Sequence, residues 1–511
     1  MPVTEGNGSA ILDVRGARRA LQAARGKQKL DLILSAPDPE QLVQALPPQE
    51  LYFALVDIGP DDAAELVAMS SPEQFRHFVD MAAWHGPEEG PRTPEVIRWL
   101  RLAREGSDDL EKFRKQLWAL DIELLAQVLR REMRVHDLTE EDSPSPEDPG
   151  MAYYTSDRRF LLEFVGSGEY GTLRQLIDDL YAQDPFGAGR LIESIRWEVP
   201  TELEESARRW RNGRLRDAGV PEFEEAISFY ARPAQQKREE GFDAPRTLAL
   251  AAPARPMLEE ALGQLAGDDL ERAEESIVYA ANSALVANRV PLDDPDEVRD
   301  QLAEARATLS LGLELLSGGD PRRAARILAD APIRDVFQAA MGEAYRLQSR
   351  ARPIATSARL PQAQSSTVLD EPLESVLQAI LRQRPAFHEP GQRRPRAFGS
   401  RADVARAEAL LDEAGATVAL LSALGLAPAD LGPKAEEAGL GPAVVKASVA
   451  LRALAESKLR GEPFSLRGAS DESRQKPEGL DRKLDELVRA AIRDDDAGRR
   501  AADRLRAAAA R

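Results

Sequence analysis

DPEQLVQALPPQELYFALVDIGPDDAAELVAMSSPEQFRHFVDMAAW, Asp38 to Trp84, decides the fold class. Helix-start signals stand at Pro39, Pro48, Pro60 and Pro72, each proline followed by Glu, Asp or Gln. Proline suits the first helical turn because the N–H it lacks would be unpaired there, and an acid beside it complements the helix dipole. Apolar residues recur after each proline: Leu42 and Leu46, Leu51 and Leu55, Ala63 and Val67, Phe75 and Val79. That spacing puts each pair on one face of a short helix. Such helices fall below the ~12–15 residues at which an isolated helix is even marginal in water. Burying Leu, Val or Phe contributes about 1.5–3 kcal/mol each, which supports them only if neighbours stack. The stretch predicts stacked helices.

Composition agrees. In 511 residues aromatics are 5% and charged residues 30%, with Ala, Leu, Glu and Arg dominant, a mix that favours helix over strand. The length suits roughly three or four domains or one long repeat array. A net charge of −19 argues against nucleic acid as the main partner, since phosphate binding needs a basic face. The absence of cysteine excludes disulfides, thiolate nucleophiles and Cys-type zinc sites. Met1 to Arg19 has no apolar core of a secretory signal, and the longest apolar stretch, Ala416 to Ala427, is short of the ~18 residues of a membrane span. These features predict a soluble cytoplasmic protein.

Along the chain, residues 1–29 form a lead and a basic helix, and 30–138 carry the proline-led helices with Trp99 and Trp118 as core fillers. Residues 139–150, TEEDSPSPEDPG, read as an acidic linker and domain boundary. A second helical block covers 151–232, a polar linker 233–246 and a third block 247–350. All five tryptophans lie between Trp84 and Trp210, which predicts the best-packed core in the first half. In the third block Leu311, Gly312, Leu315, Ala324, Leu328 and Ala331 have the spacing of one tetratricopeptide-like hairpin. Residues 351–402 form a Pro/Arg-rich arm with one helix, in which 352–371 read as a passage from order to disorder. Helices resume over 403–466, and the charged tail 467–511 reads as one solvated helix.

The proline-spaced helices of Asp38–Trp84 resemble, in pattern, the superhelical cytoplasmic domain of bacterial magnesium transporters and parts of the flagellar switch protein. The chain lacks the transporter's membrane spans, so the resemblance implies a fold and no transport. LVANRVPLDDPDEV, LSLGLELLSGGD and AARILADAPIRDVFQ, between Leu285 and Gln338, resemble an uncharacterised bacterial family, a domain of unknown function. That likeness implies no activity, cofactor or catalytic residue.

Gly166-Ser-Gly168-Glu-Tyr-Gly171 has the glycine spacing of a dinucleotide loop. Arg158 to Val165 reads equally well as a strand or as the end of a helix with Gly166 as its cap, Glu169 would put negative charge among phosphates, and no acid-ended strand follows. The loop is read as a turn. His77 lies one helical turn from Glu73 and Asp80, with His85 beyond. Metal binding needs three or more convergent ligands, so His77 is read as a surface residue. His136 and His388 are isolated, and the acid runs Asp61-Asp62, Glu140-Glu141-Asp142 and Asp494-Asp495-Asp496 read as helix starts, linker charge and a solvated face. No catalytic residue, cofactor or metal ligand is assigned.

The sequence therefore predicts an all-α protein, a helical-repeat solenoid with polar linkers. It points to a non-enzymatic interaction scaffold with a protein partner or a second copy, and to no nucleic acid and no membrane insertion. An enzyme with a site of dispersed residues, or a divalent-cation-responsive regulatory domain, is the alternative. The expected partner-binding residues are Arg382, Arg384, Phe387, Arg393, Arg394, Arg396, Phe398 and Arg401. They form an arginine-rich arm kept out of helix by Pro385, Pro390 and Pro395. The arm serves either as a linker or as a segment that docks on an acidic surface, its own body included.

Overall fold

A computed structural model describes residues 16–510 except 18–19, 22–23, 85–89, 141–143, 145, 166–167, 233–255, 362–365, 468–476 and 493–494. The chain is 69% helical, far above the ~30–35% of an ordinary globular protein, and is all-α. It divides into two compact units, Met1–Ala226 with Leu285–Gln301, and Ile227–Ala284 with Leu302–Arg511.

In the first unit α1 (Lys27–Leu34) leads to α2 (Pro39–Ala45) and α3 (Pro48–Ile58). A 3-10 turn (Pro60–Ala63) then runs into α4 (Ala64–Met69), and α5 (Pro72–Ala82) follows. All four prolines occupy helix starts. The paired apolar anchors are buried, none more than 3% exposed. Next come α6 (Thr93–Glu105), α7 (Leu110–Trp118) and α8 (Ile122–Glu132), a small sheet, then α9 (Tyr170–Gln183), α10 (Pro185–Trp197) and α11 (Pro200–Asp217). Each helix from α1 to α8 packs on the second helix along.

Stacking removes water from helix ends, whose last carbonyls have no partners within the helix. Glutamines three helices along supply the missing N–H groups. Gln74 of α5 donates to the carbonyls of Val43 and Leu46, both at 2.8 Å, behind α2. Gln116 of α7 donates to Val67 at 3.0 Å and Ser70 at 2.8 Å, behind α4. Gln74 also completes a reciprocal cap with Ser71 at the start of its own helix.

The sheet holds β1 (Met133–Asp137), β2 (Ala152–Tyr154) and β3 (Phe160–Phe164), antiparallel, with β3 in the middle. Arg158–Val165, which reads equally well as strand or helix end, is thus mostly strand. A short apolar run, FLLEF, has no period that separates a buried strand from a helix end, and here every residue of it is buried. The described part of Thr139–Gly150, expected as a domain boundary, lies between β1 and β2 inside the first unit; there Glu147 donates its backbone N–H to buried Glu163 at 2.7 Å.

The chain passes between units within α12 (Phe223–Ser228), α14 (Asp268–Ala287) and α15 (Pro295–Ser317), with α13 (Met257–Leu262) between the first two. The second unit continues with α16 (Pro321–Asp330), α17 (Ile333–Ala358), α18 (Leu373–Ile380), α19 (Arg401–Ala423), α20 (Pro428–Glu437), α21 (Ala447–Arg460), α22 (Leu480–Ala491) and α23 (Asp496–Ala509). Leu311, Ala324 and Leu328 of the expected hairpin are buried. A Cβ on Gly312 would fall 2.0 Å from the Val336 carbonyl, so only glycine permits that approach of α15 to α17. The linker expected over 233–246 lies outside the described residues.

Two expectations for the second unit are corrected. Residues 352–358 continue α17, and Val368 and Leu369 are buried, so the described part of 352–371 is packed. The described part of the tail is two packed helices, not one solvated helix. Leu480, Leu484 and Val488, spaced four residues apart, form a stripe beneath the charges, Ala501, Ala502 and Leu505 allow close contact, and Arg504 pairs with buried Glu413 of α19. Among the described residues no single helix is long and apolar enough to cross a membrane.

Urea melts test the stacking. Leu55→Ala should cost about 2–5 kcal/mol, Gln74→Ala about 1–3 kcal/mol because it strands buried carbonyls, and exposed Glu73→Ala nearly nothing. Equal effects of the last two would remove the glutamines from the structural account.

Candidate functional site

The expected arm is folded into the second unit. Phe387 and Phe398 are buried with ring centroids 5.6 Å apart, and Phe387 and Arg396 exchange backbone bonds of 2.7 and 2.9 Å. Arg396 makes two 2.8 Å bonds to Asp403 and one of 3.3 Å to Glu389. Burial pushes the Asp403 carboxyl up, but Arg396 and the backbone N–H bonds from the Gly399–Ser400 turn together hold the group below its ordinary value. Arg384 lies 4.0 Å over the Tyr230 ring, Arg401 donates its backbone N–H to Glu314, and the Arg382 carbonyl accepts from Gln348. Arg393 and Arg394 are exposed. The set is therefore split: Phe387, Phe398, Arg384, Arg396 and Arg401 hold the unit together, and the Arg382, Arg393 and Arg394 side chains face solvent.

The glycine loop does join strand β3 to helix α9, with Gly166 and Ser167 outside the described residues. Its strand is the centre of an antiparallel sheet, whereas a dinucleotide fold sets the loop in a parallel β–α–β unit. Glu169 is 3.5 Å from Arg101. Among the described residues no three His, Asp or Glu side chains are placed to hold a metal, and His85 lies outside them.

His77 is buried, contrary to the surface position expected. It is part of a junction that sequence reasoning missed. Helix α11 carries ARRWRNGRLR, and Leu203, Ala207, Arg211 and Arg214 continue one inward stripe. That stripe, running from apolar residues into arginines, was the available signal. Arg214 bonds Asp80 of α5 at 2.8 and 2.9 Å and Asp121, before α8, at 2.9 and 2.7 Å. Burial pushes the Asp80 carboxyl up, with Arg214 opposing. Arg211 donates to the Asp80 carbonyl at 2.7 Å, stacks 5.0 Å over Trp84, and is pushed down to about 10, mainly by burial. Burial, with Arg211 and Arg214 nearby, pushes His77 down to about 4. It is neutral at pH 7.

Beside this junction, within the first unit, is a cavity of about 480 Å³. Its wall comes from the end of α5, from α11, from Val220–Glu224 and from the turn Leu285–Asp293. Arg92, Arg211 and Arg289 line it, with Trp84 and Phe223 and a lining of Leu, Val and Pro. Arg92 donates to the Ala82 carbonyl at 2.9 Å and lies 3.5 Å from Asp293.

The model of one protein family matches residues 9–477, which takes in the cavity, α11 and the arm. The chain belongs to that family, a family of unknown function (DUF6178). No curated protein matches this DUF6178 chain, and no solved structure does. The likeness of Asp38–Trp84 to magnesium transporters therefore remains one of pattern.

The junction makes two predictions. His77 has a folded value below its unfolded ~6.5, so the unfolded chain takes up the proton first. Stability should fall, by on the order of 1–3 kcal/mol, as pH drops from about 6.5 to 4. His77→Gln should flatten that part of the thermal-melt profile, and an unchanged slope would mean His77 is not held neutral. Arg214→Met leaves Asp80 buried without its cation and should cost about 3–5 kcal/mol in denaturant melts; a loss below about 1 kcal/mol, the scale of a surface pair, would contradict the arrangement.

Proposed function

We propose that this protein is a non-enzymatic interaction protein, a helical-repeat solenoid that offers a surface to a protein partner. The observation that carries the reading is the packing of each helix from α1 to α8 on the second helix along. Regular stacking of that kind builds an extended face from many short elements, and such faces are binding surfaces.

Aromatic exposure supports it. Trp197 is 64% exposed at the end of α10, Trp210 57% on α11, and Phe186 88% at the start of α10. Clustering of tryptophan in the first half suggested a core, yet these two face water. Tryptophan and arginine are the side chains most enriched where binding energy concentrates, and Arg196 stacks on Trp197 at 4.8 Å.

The test uses immobilised full-length protein and extract of its native cell, read by mass spectrometry. Trp197→Ser with Trp210→Ser should leave the melting temperature nearly unchanged, because both side chains are exposed, and reduce recovery of specific partners about tenfold or more. Equal recovery by both proteins would move the partner off these two tryptophans. Failure of the unmodified protein to retain any specific partner would count against the scaffold reading itself.

A further inference from the structure

We infer that the first-unit cavity is a binding site for a small organic anion with a flat apolar body, its carboxylate or phosphate head held by Arg92, Arg211 and Arg289. Trp84 and Phe223 provide the flat walls.

The first support is an excess of donors. Trp84 is 8% exposed, and its Nε1–H has no hydrogen-bond partner among the described residues; nor has the buried Nε–H of Arg92. Buried N–H groups left without acceptors cost about 1–3 kcal/mol each, so a ligand rich in acceptor oxygens gains by reaching them. The second is charge. Of the acids lining the cavity, Glu222 is engaged by Arg216, Asp293 is 3.5 Å from Arg92, and Glu224 is exposed. Arg211 is turned inward, and its downward displacement reflects burial that nearby Asp80 only partly offsets.

The third is backbone conformation. Helix α14 ends in a turn where the Val290 N–H reaches back to the Leu285 carbonyl at 3.1 Å, with Arg289 at φ 50. The same closure recurs at Gly219, Gly425, Gly439 and Gly461, each a glycine at positive φ. Glycine adopts that conformation without steric cost, whereas other side chains are strained in it. Arginine here trades backbone ease for a guanidinium at the cavity, stacked 4.7 Å over Phe223. Arginine's planar fork matches carboxylate and phosphate oxygens.

Titration calorimetry on the full-length protein tests this with phenyl phosphate, benzoate, inorganic phosphate and benzylamine. Phenyl phosphate or benzoate should saturate one site with Kd of about 1 mM or tighter, and the tighter of the two identifies the head group. Benzylamine should not bind. Arg289→Gly should melt no lower than the unmodified protein, since glycine relaxes the turn, yet lose about tenfold or more in affinity; Arg92→Lys should lose affinity likewise. No binding by either aromatic anion, equal binding of benzylamine, or affinity unchanged in both variants would overturn the assignment. Inorganic phosphate binding as tightly as phenyl phosphate would overturn the aromatic half of it.

Discussion

A carboxylate taken out of water costs several kcal/mol unless cations and N–H groups surround it, and the first unit buries such groups at its helix junctions. Asp80 is gripped by Arg214, which also holds Asp121. Asp179 of α9 receives Arg104 of α6 at 2.8 Å and Arg114 of α7 at 3.0 Å. Asp57 at the end of α3 pairs with Lys29 at 2.9 Å and with Arg299. Each cluster ties helices distant in sequence. The apolar anchors bring the helices together without direction, and in this arrangement each of these buried acids keeps a cationic partner. Glu413 and Arg504 repeat the device in the second unit.

Backbone ends impose the same demand at smaller scale. Helices of two or three turns have as many unpaired end groups as paired ones, so a stack of them must find donors for its carbonyls. Gln74 and Gln116 provide them from three helices along. The result is a stack in which polar satisfaction, as much as apolar burial, depends on neighbours. Helix α11 shows where the two requirements meet. Its inward face trades apolar residues for Arg211 and Arg214, and Trp210 is left in water. Arg211, one of the two junction arginines, also borders the cavity, so a ligand there would act on a group that ties α11 to α5.

The proline starts at 39, 48, 60 and 72, the buried anchors that follow them, the all-α class and the small-residue contact at Gly312 were legible, because each rests on local spacing. Their physical basis lies within one helix or one turn. The strand Phe160–Phe164 was not legible, since four apolar residues and one Glu have no distinguishing period. Nor were the burial of His77, the exposure of Trp197 and Trp210, or the packing of the tail. Those depend on which faces meet, and residue type alone does not say so.

The candidate sites divide along the same line. The arm's arginines stood out because their sequence neighbours are prolines and few acids, yet Phe387, Phe398 and Arg396 turned inward once Asp403 and Glu389 were near. The α11 arginines looked like ordinary helix charge until Asp80 and Asp121 arrived from elsewhere in the chain. By itself the sequence determined where helices begin, which residues could be buried, and the balance of charge, because those follow from local geometry and composition. Only the tertiary structure decided which charges are paired, which aromatics face water and which donors line a cavity, because burial, partnership and enclosure are properties of groups brought together across hundreds of residues.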